Sequence, residues 1–339
     1  MKILGIETSC DECAAAVVED GRRILSDIVA TQIPFHAIYE GIVPEIASRK
    51  HTEWIYSVVK EALEKADVQV SEIDGVAVTA HPGMLGSLIV GLSFAKAFAW
   101  SLKIPLIAVD HMLAHLYAVQ LTKDAPQYPF LGLLISGGHS IICRSDDFDK
   151  ITVLGTTIDD AVGEAFDKIS KHYGFGYPGG LAIDKLAQKG NSSAFHFPMP
   201  SLHKGEHRYD LSYSGLKTAV INQTDQFRTI NVSETRDEDI AASFQKTAIE
   251  ILLRSLLRAA EDSKLSTIVA GGGVAANSYL RARLAEYKEL RCIFPPLSLC
   301  GDNAAMVAGI GYQYLKRGEH SALTSVASSR VKAFKRRYP

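Results

Sequence analysis

Twice in this chain a short apolar run stops at a polar turn and starts again, and that repetition constrains the fold more than any other feature of the sequence. Residues 2–7 and 13–19 flank an acidic turn carrying Ser9, Cys10, Asp11 and Glu12, and residues 24–31 follow after Asp20-Gly21. Farther on, residues 130–135 and 140–144 flank Ser136-Gly137-Gly138-His139, with 151–154 as a third candidate run. Apolar runs of this length between turn residues predict strands. Two such openings imply duplicated α/β lobes rather than one doubly wound sheet.

Helical spacing predicts helices over 45–66, 83–102, 161–173, 180–189, 215–222, 239–262 and 277–290, and buried-type strands over 75–79, 104–109 and 265–270. The Ser-, Pro- and His-bearing stretch 191–210 predicts a loop or insertion. A chain of 339 residues exceeds what one core usually supports. The expected division is a first lobe over 1–128, a second lobe with a helical insertion over 129–305, and a C-terminal helix and basic tail over 306–339 that returns to the first lobe.

Thirty-six Lys and Arg against 38 Asp and Glu give a formal charge of -2, so any grip on nucleic acid has to be local. Arg330, Lys332, Lys335, Arg336 and Arg337 form one candidate patch, and His203, Lys204, His207 and Arg208 another. Either could equally be solvated surface. The five cysteines are scattered and odd in number, which fits a reducing compartment. Cys10 and Cys13 have no second pair at zinc-site spacing, so their C-x-x-C pattern carries no metal reading. Glu7, Asp11 and Glu12 interrupt any secretory h-region, and Lys96, Lys103 and Pro105 interrupt the apolar stretch 84–109. A cytoplasmic protein without a membrane segment is expected.

His111 and His115 follow directly on a predicted strand, one helical turn apart, with both imidazoles on one face. Two neutral imidazoles suit zinc or ferrous iron, and a carboxylate from elsewhere could complete the set. Taken alone, such a pair is more often merely packed or exposed. A zinc peptidase of the H-E-x-x-H type needs Glu after the first His; Met112 stands there instead. The glycine-bearing stretches 134–138 and 268–277 would let backbone N–H groups approach an anion, although a plain turn would look the same. Neither matches a Walker A or dinucleotide fingerprint. Glu164, Asp167 and Lys168 read first as a charged helix face, and Asp184 and Asp302-Asn303 as helix caps.

Taken together and in order, these motifs resemble the TsaD family of tRNA threonylcarbamoyladenosine transferases. The resemblance runs from Gly5-Ile6-Glu7-Thr8-Ser9-Cys10-Asp11-Glu12 through Val43-Pro44-Glu45-Ile46-Ala47-Ser48-Arg49-Lys50-His51, the histidine pair, and the Ser136 to His139 turn. It continues through 160–168, Tyr177-Pro178-Gly179-Gly180, 212–219, 271–277 and Asp302-Asn303-Ala304-Ala305-Met306. Cys13, His81, Leu181 and Ala275 depart from the family pattern.

The resemblance implies the actin-like fold of acetate and sugar kinases, heat-shock ATPases and actin, with two ribonuclease-H-like lobes. It also implies one divalent metal, iron before zinc, on His111, His115 and Asp302. Threonylcarbamoyl-AMP would be bound by Leu134, Ile135, Ser136, Gly137, Gly138, Asp167, Gly180, Asp184 and Asn277. The implied reaction is acyl transfer to the N6 amine of the adenosine beside the anticodon of tRNA, with AMP leaving. Asp11 or Glu12 is the expected proton acceptor. A paralogous TsaB-type subunit and a TsaE-type ATPase are the implied partners. A small-molecule kinase of the same fold and a non-catalytic ATP-binding scaffold stand as alternatives; the histidine pair argues against the kinase, because phosphotransferases ordinarily hold Mg²⁺ on carboxylates.

Overall fold

The structure is a computed structural model that describes residues 1–200, 202, 205–230, 236–331 and 334. Of the two basic patches, Lys332, Lys335, Arg336, Arg337, His203 and Lys204 lie outside the described residues. Contacts divide the chain into two compact units, one of Met1–Gln127 with Asp147–Ile151 and Pro295–Arg337, the other of Tyr128–Asp146 with Thr152–Phe294.

In chain order the first unit contributes β1 (Lys2–Glu7), β2 (Glu12–Glu19), β3 (Arg23–Thr31), α1 (Ile33–His36), α2 (Pro44–Ala66), β4 (Gly75–His81), α3 (Leu85–Leu102), β5 (Leu106–Asp110) and α4 (His111–Tyr117). The second begins with β6 (Phe130–Ile135), β7 (Ser140–Ser145), β8 (Ile151–Thr156), α5 (Val162–Tyr173) and α6 (Gly179–Ala187). It continues with α7 (Ser214–Ile230), α8 (Asp237–Ser263), β9 (Thr267–Gly271), α9 (Ser278–Leu284) and β10 (Arg291–Ile293). The chain then returns to the first unit with α10 (Ala304–Lys316).

Both sheets have one plan. The first runs β3-β2-β1-β4-β5, with β1 antiparallel to β2 and parallel to β4. The second runs β8-β7-β6-β9-β10, with β6 antiparallel to β7 and parallel to β9. The duplication expected from the two strand–turn–strand openings is therefore present as a duplicated mixed sheet.

In the first unit, β1 is buried on both faces, as a central strand with helices on each side must be. Leu4 and Ile6 meet Val58, Val59, Ala62, Leu92 and Ala95 of α2 and α3. Gly5 faces α10, where a Cβ would stand 2.3 Å from the Ala304 carbonyl oxygen, so the helix can approach the strand only over glycine. Helix α2 starts on Pro44 at its first turn and ends at Asp67 in the left-handed conformation. Helix α3 is long and apolar enough to cross a membrane by length and composition alone. Its Leu88, Leu92, Ala95 and Ala99 face is buried within the first unit's core.

In the second unit, Leu131, Leu133 and Ile135 of β6 pack with Phe166 and Ile169 of α5 and with Phe244, Leu252 and Leu256 of α8. Phe166 and Phe244 meet edge to face at 5.0 Å. Three elements differ from expectation. Helix α7 extends to Ile230, past the predicted end at 222; beyond that point its inward face is carried by the polar Thr224, which hydrophobic spacing does not register, and by Phe227, whose ring meets Phe195 edge to face at 5.7 Å. Helix α9 stops at Leu284 rather than 290, and the residues after it include β10, whose three residues carry too short a pattern to be recognised.

Candidate functional site

Two sites emerge, one in each unit. In the first, strand β5 ends at Asp110, whose carboxylate accepts from the backbone N–H groups of Met112 and Leu113 at 2.9 and 3.2 Å and so caps α4. That cap starts the helix at His111 and puts His115 one turn on, as their spacing predicted. The two Nε2 atoms lie 3.1 Å apart. Asp302, in the loop before α10, brings Oδ1 within 3.1 Å of His115 Nε2 and 3.5 Å of His111 Nε2. Asn303 fixes this loop by accepting from Met306 N at 2.9 Å and donating to the Gly301 carbonyl at 2.9 Å.

The ligand atoms of His111, His115 and Asp302 all lie within 4.8 Å of one another, a set that could hold a metal ion. Two imidazole nitrogens and one carboxylate are the donor types of catalytic zinc and non-haem iron sites, which keep a further position open. The cluster is short of compensation by itself. His115 Nδ1 is buried with no hydrogen-bond partner among the described residues. Burial pulls the His111 pKa down, but Glu7 and Asp302 outweigh it and push it up to about 9. Burial works against ionisation of Asp302, yet His111 and His115 bring it down to about 2. Negative charge around the imidazoles thus favours a cation among them, proton or metal.

The acidic turn lies in the same unit. Asp11 is buried, and its backbone carbonyl accepts from Gln32 N at 3.0 Å. Glu12 opens β2 and accepts from Thr31 Oγ1 at 3.2 Å. Burial, then the charges of Asp302 and Asp11, raise the Glu12 carboxyl to about 9. Sequence reasoning singled out Asp11 and Glu12 but passed over Glu7, which is fully buried at the end of β1 and touches His111 directly. A carboxylate closing an otherwise apolar strand was the available signal.

In the second unit a cavity of about 260 Å³ is walled by Gly137, Asp167, Gly180, Asp184, Asn277 and Gly273, among others. At Gly137, Gly138, Gly180 and Gly273 a Cβ would meet no atom within 4 Å, so these glycines expose bare backbone to the solvent side. Gly272 is different: its φ is +88° and a Cβ would meet the Ile135 carbonyl oxygen at 2.3 Å. Asp167 accepts from Gly179 N at 2.8 Å, at the start of α6. Asp184 accepts from Ser278 Oγ at 2.7 Å and from Asn277 Nδ2 at 3.3 Å. Asn277 in turn caps α9 through Leu280 N at 2.9 Å.

Five of the nine residues expected to bind the adenylate, Gly137, Asp167, Gly180, Asp184 and Asn277, thus wall one cavity. Leu134 and Ile135 are buried in β6. Ser136 closes the hairpin turn, its N–H on the His139 carbonyl at 2.8 Å, with Gly138 inside that turn. These four are not among the walls of the cavity.

Comparison with known proteins fits both the fold and the motifs. Residues 23–309 match the TsaD family model, described as tRNA N6-adenosine threonylcarbamoyltransferase. A protein of that name from Treponema denticola is 65% identical over 99% of each chain. Among solved structures, component A of the (R)-2-hydroxyglutaryl-CoA dehydratase of Acidaminococcus fermentans is similar with a TM-score of 0.56 at 14% identity, covering 93% of this chain and 99% of its own. HypF of T. kodakarensis gives 0.58 at 15% identity, over 93% of this chain and 48% of its own. These two, at such low identity, bear on the fold alone, and with the duplicated sheets they make it a two-lobed α/β fold of the actin-like class. From its motifs, its family match and its full-length relative, the chain belongs to the TsaD family of tRNA N6-adenosine threonylcarbamoyltransferases, transferase enzymes of tRNA modification.

Proposed function

We propose that this chain transfers the threonylcarbamoyl group of threonylcarbamoyl-AMP to the N6 amine of the adenosine 3′ to the anticodon, in tRNAs reading codons that begin with A, with AMP as leaving group. The observation that carries the donor assignment is the glycine-walled cavity of the second unit. Its bare backbone at Gly137, Gly180 and Gly273 admits a phosphate or acyl group closely, and Asp167 and Asp184 offer carboxylate oxygens suited to ribose hydroxyls. Asn277 adds an amide beside them.

An adenine amine is a poor nucleophile, so rate has to come from positioning and from stabilising charge that develops on the acyl oxygen and the phosphate. A divalent metal, iron before zinc, would be held by His111, His115 and Asp302 and would supply Lewis-acid polarisation. Asp11 and Glu12 are the groups assigned to the amine proton. Burial raises the Glu12 carboxyl, which makes it a stronger base than an ordinary carboxylate when it is ionised. A TsaB-type paralogous subunit and a TsaE-type ATPase are the proposed partners, and the cytoplasm the proposed compartment.

The test is direct. Unmodified tRNA is incubated with the metal-loaded protein, both partner proteins, ATP and threonylcarbamoyl-AMP labelled in the threonine, and its nucleosides are then analysed by mass spectrometry. Label on adenosine at the position 3′ to the anticodon is the expected result. Label absent from tRNA, with free threonylcarbamoyl-AMP intact, would reject the donor and acceptor assignment.

A further inference from the structure

The carboxylate of Glu7 is wholly buried, yet nothing in the proposed chemistry uses it. Burying an ion without partners costs several kcal/mol, so such a group persists only where donors converge on it. Three do. Ser9 N donates to Oε1 at 2.5 Å, Thr79 Oγ1 donates to Oε2 at 2.6 Å, and His111 Nδ1 lies 2.9 Å from Oε2. The geometry suits an acceptor-only group: a glutamine would have one carbonyl oxygen for three donors and would point its amide at least at one of them.

We infer that Glu7 is a positioning residue that holds His111 in the tautomer protonated on Nδ1, leaving Nε2 bare toward His115 Nε2 and Asp302 Oδ1, ready to ligate a divalent cation. An ionised carboxylate can only accept, so a neutral His111 ring that bonds to it does so through an Nδ1 proton. The Ser9 hydroxyl, 3.2 Å from the same nitrogen, can also accept. Ligating histidines commonly donate their second ring nitrogen to a carboxylate, which fixes ring orientation and raises basicity. The two histidines differ here: His111 has Glu7 behind it, whereas His115 Nδ1 has no such partner among the described residues. Glu7 thereby acts on one ligand of the pair.

This inference rests on the metal assignment above, and the experiment separates the two. The full-length protein is labelled with ¹⁵N at histidine, stripped of metal with a chelator, and studied above the His111 titration by long-range ¹H–¹⁵N correlation, with His111→Gln used to assign the ring. The wild type should show Nδ1 protonated and Nε2 bare, and Glu7→Gln should move His111 away from that tautomer. Zn²⁺ affinity, measured by competition with a chromophoric chelator, should fall about 10- to 100-fold in Glu7→Gln. Glu7→Asp, which keeps the charge on a shorter arm, should lose less. A wild-type His111 protonated on Nε2 overturns the inference outright, and that reading needs no variant to fold. Unchanged tautomer and unchanged Zn²⁺ affinity in a folded Glu7→Gln overturn it too. If instead His115→Ala keeps wild-type Zn²⁺ affinity, the metal assignment has failed, and the tautomer measurement still decides what Glu7 does to His111.

Discussion

The two units share a strand order and a pattern of parallel and antiparallel neighbours, yet the same position in the plan carries opposite chemistry. In the first unit the hairpin between the first two strands is acidic, and behind it lie Glu7, His111, His115 and Asp302, all ionisable and mostly buried. In the second unit the equivalent hairpin is Ser136-Gly137-Gly138-His139, and the cavity beside it is walled by glycine backbone, by the apolar side chains of Phe166, Pro178, Leu181, Val274 and Ala276, and by Asp167 and Asp184, both tied to helix starts. One framework thus supports a charge-dense site and one lined by glycines and apolar side chains, because the strands fix where a turn projects and the turn's side chains decide what it meets. Function is set by the turns, and the sheet supplies position.

Four tests, each built on one or two substitutions, probe that division. The largest effect is expected from His111→Ala or His115→Ala: bound metal lost by elemental analysis, transfer to tRNA below detection, and adenylate binding by the second unit retained. Full metal occupancy in both variants would break the assignment. Next, Asp184→Ala removes the carboxylate that Ser278 and Asn277 hold, and should weaken calorimetric binding of a non-hydrolysable adenylate analogue by about 10- to 100-fold. Metal content should not change; a variant that loses metal as well would erase the contrast between the two sites.

A third test, a pair of substitutions, sharpens the difference among glycines of the second unit. Gly272→Ala forces a Cβ onto the Ile135 backbone at a positive φ, and should destabilise by about 1–3 kcal/mol in denaturant unfolding. Gly137→Ala, whose Cβ would stand in open space, should unfold like the wild type. Equal losses would show that the two positions do not differ as their surroundings indicate.

The smallest effect concerns the first unit. Asp27 accepts from Ala304 N and Ala305 N at 3.2 and 3.3 Å, but burial outweighs these bonds and raises its carboxyl from 3.8 to about 6. The folded state therefore binds this proton more tightly than the unfolded chain does. Stability from it is present below about pH 4 and is lost as pH rises through about 6. Asp27→Asn keeps an acceptor oxygen and removes the charge, so it should flatten the stability profile between those values. The variant should gain on the order of 2 kcal/mol on the wild type at pH 7 relative to pH 4. Parallel profiles for the two proteins would show that Asp27 does not titrate in this window.

Much of this molecule is legible in the amino-acid sequence alone. Periodicity marks α2, α3, α5 and α8 to within a few residues, and the two strand–turn–strand openings announce the duplicated sheets. The one-turn spacing of His111 and His115 after a strand gives their shared face, because helix geometry is local. Asp302 is another matter: 187 residues separate it from His115, and only the motif resemblance, not periodicity, named it. Sequence left unsaid that Glu7 stands behind His111, that Asn303 pins the loop presenting Asp302, and that the Leu134 and Ile135 side chains belong to the core while Gly137 walls the cavity. The reason is physical. Which elements form depends on neighbours three or four residues away, whereas a buried carboxylate's role depends on what the packed elements bring to it: Oε1 of Glu7 takes the local Ser9 N–H, but the partners of Oε2 come from β4 and α4, 72 and 104 residues along the chain.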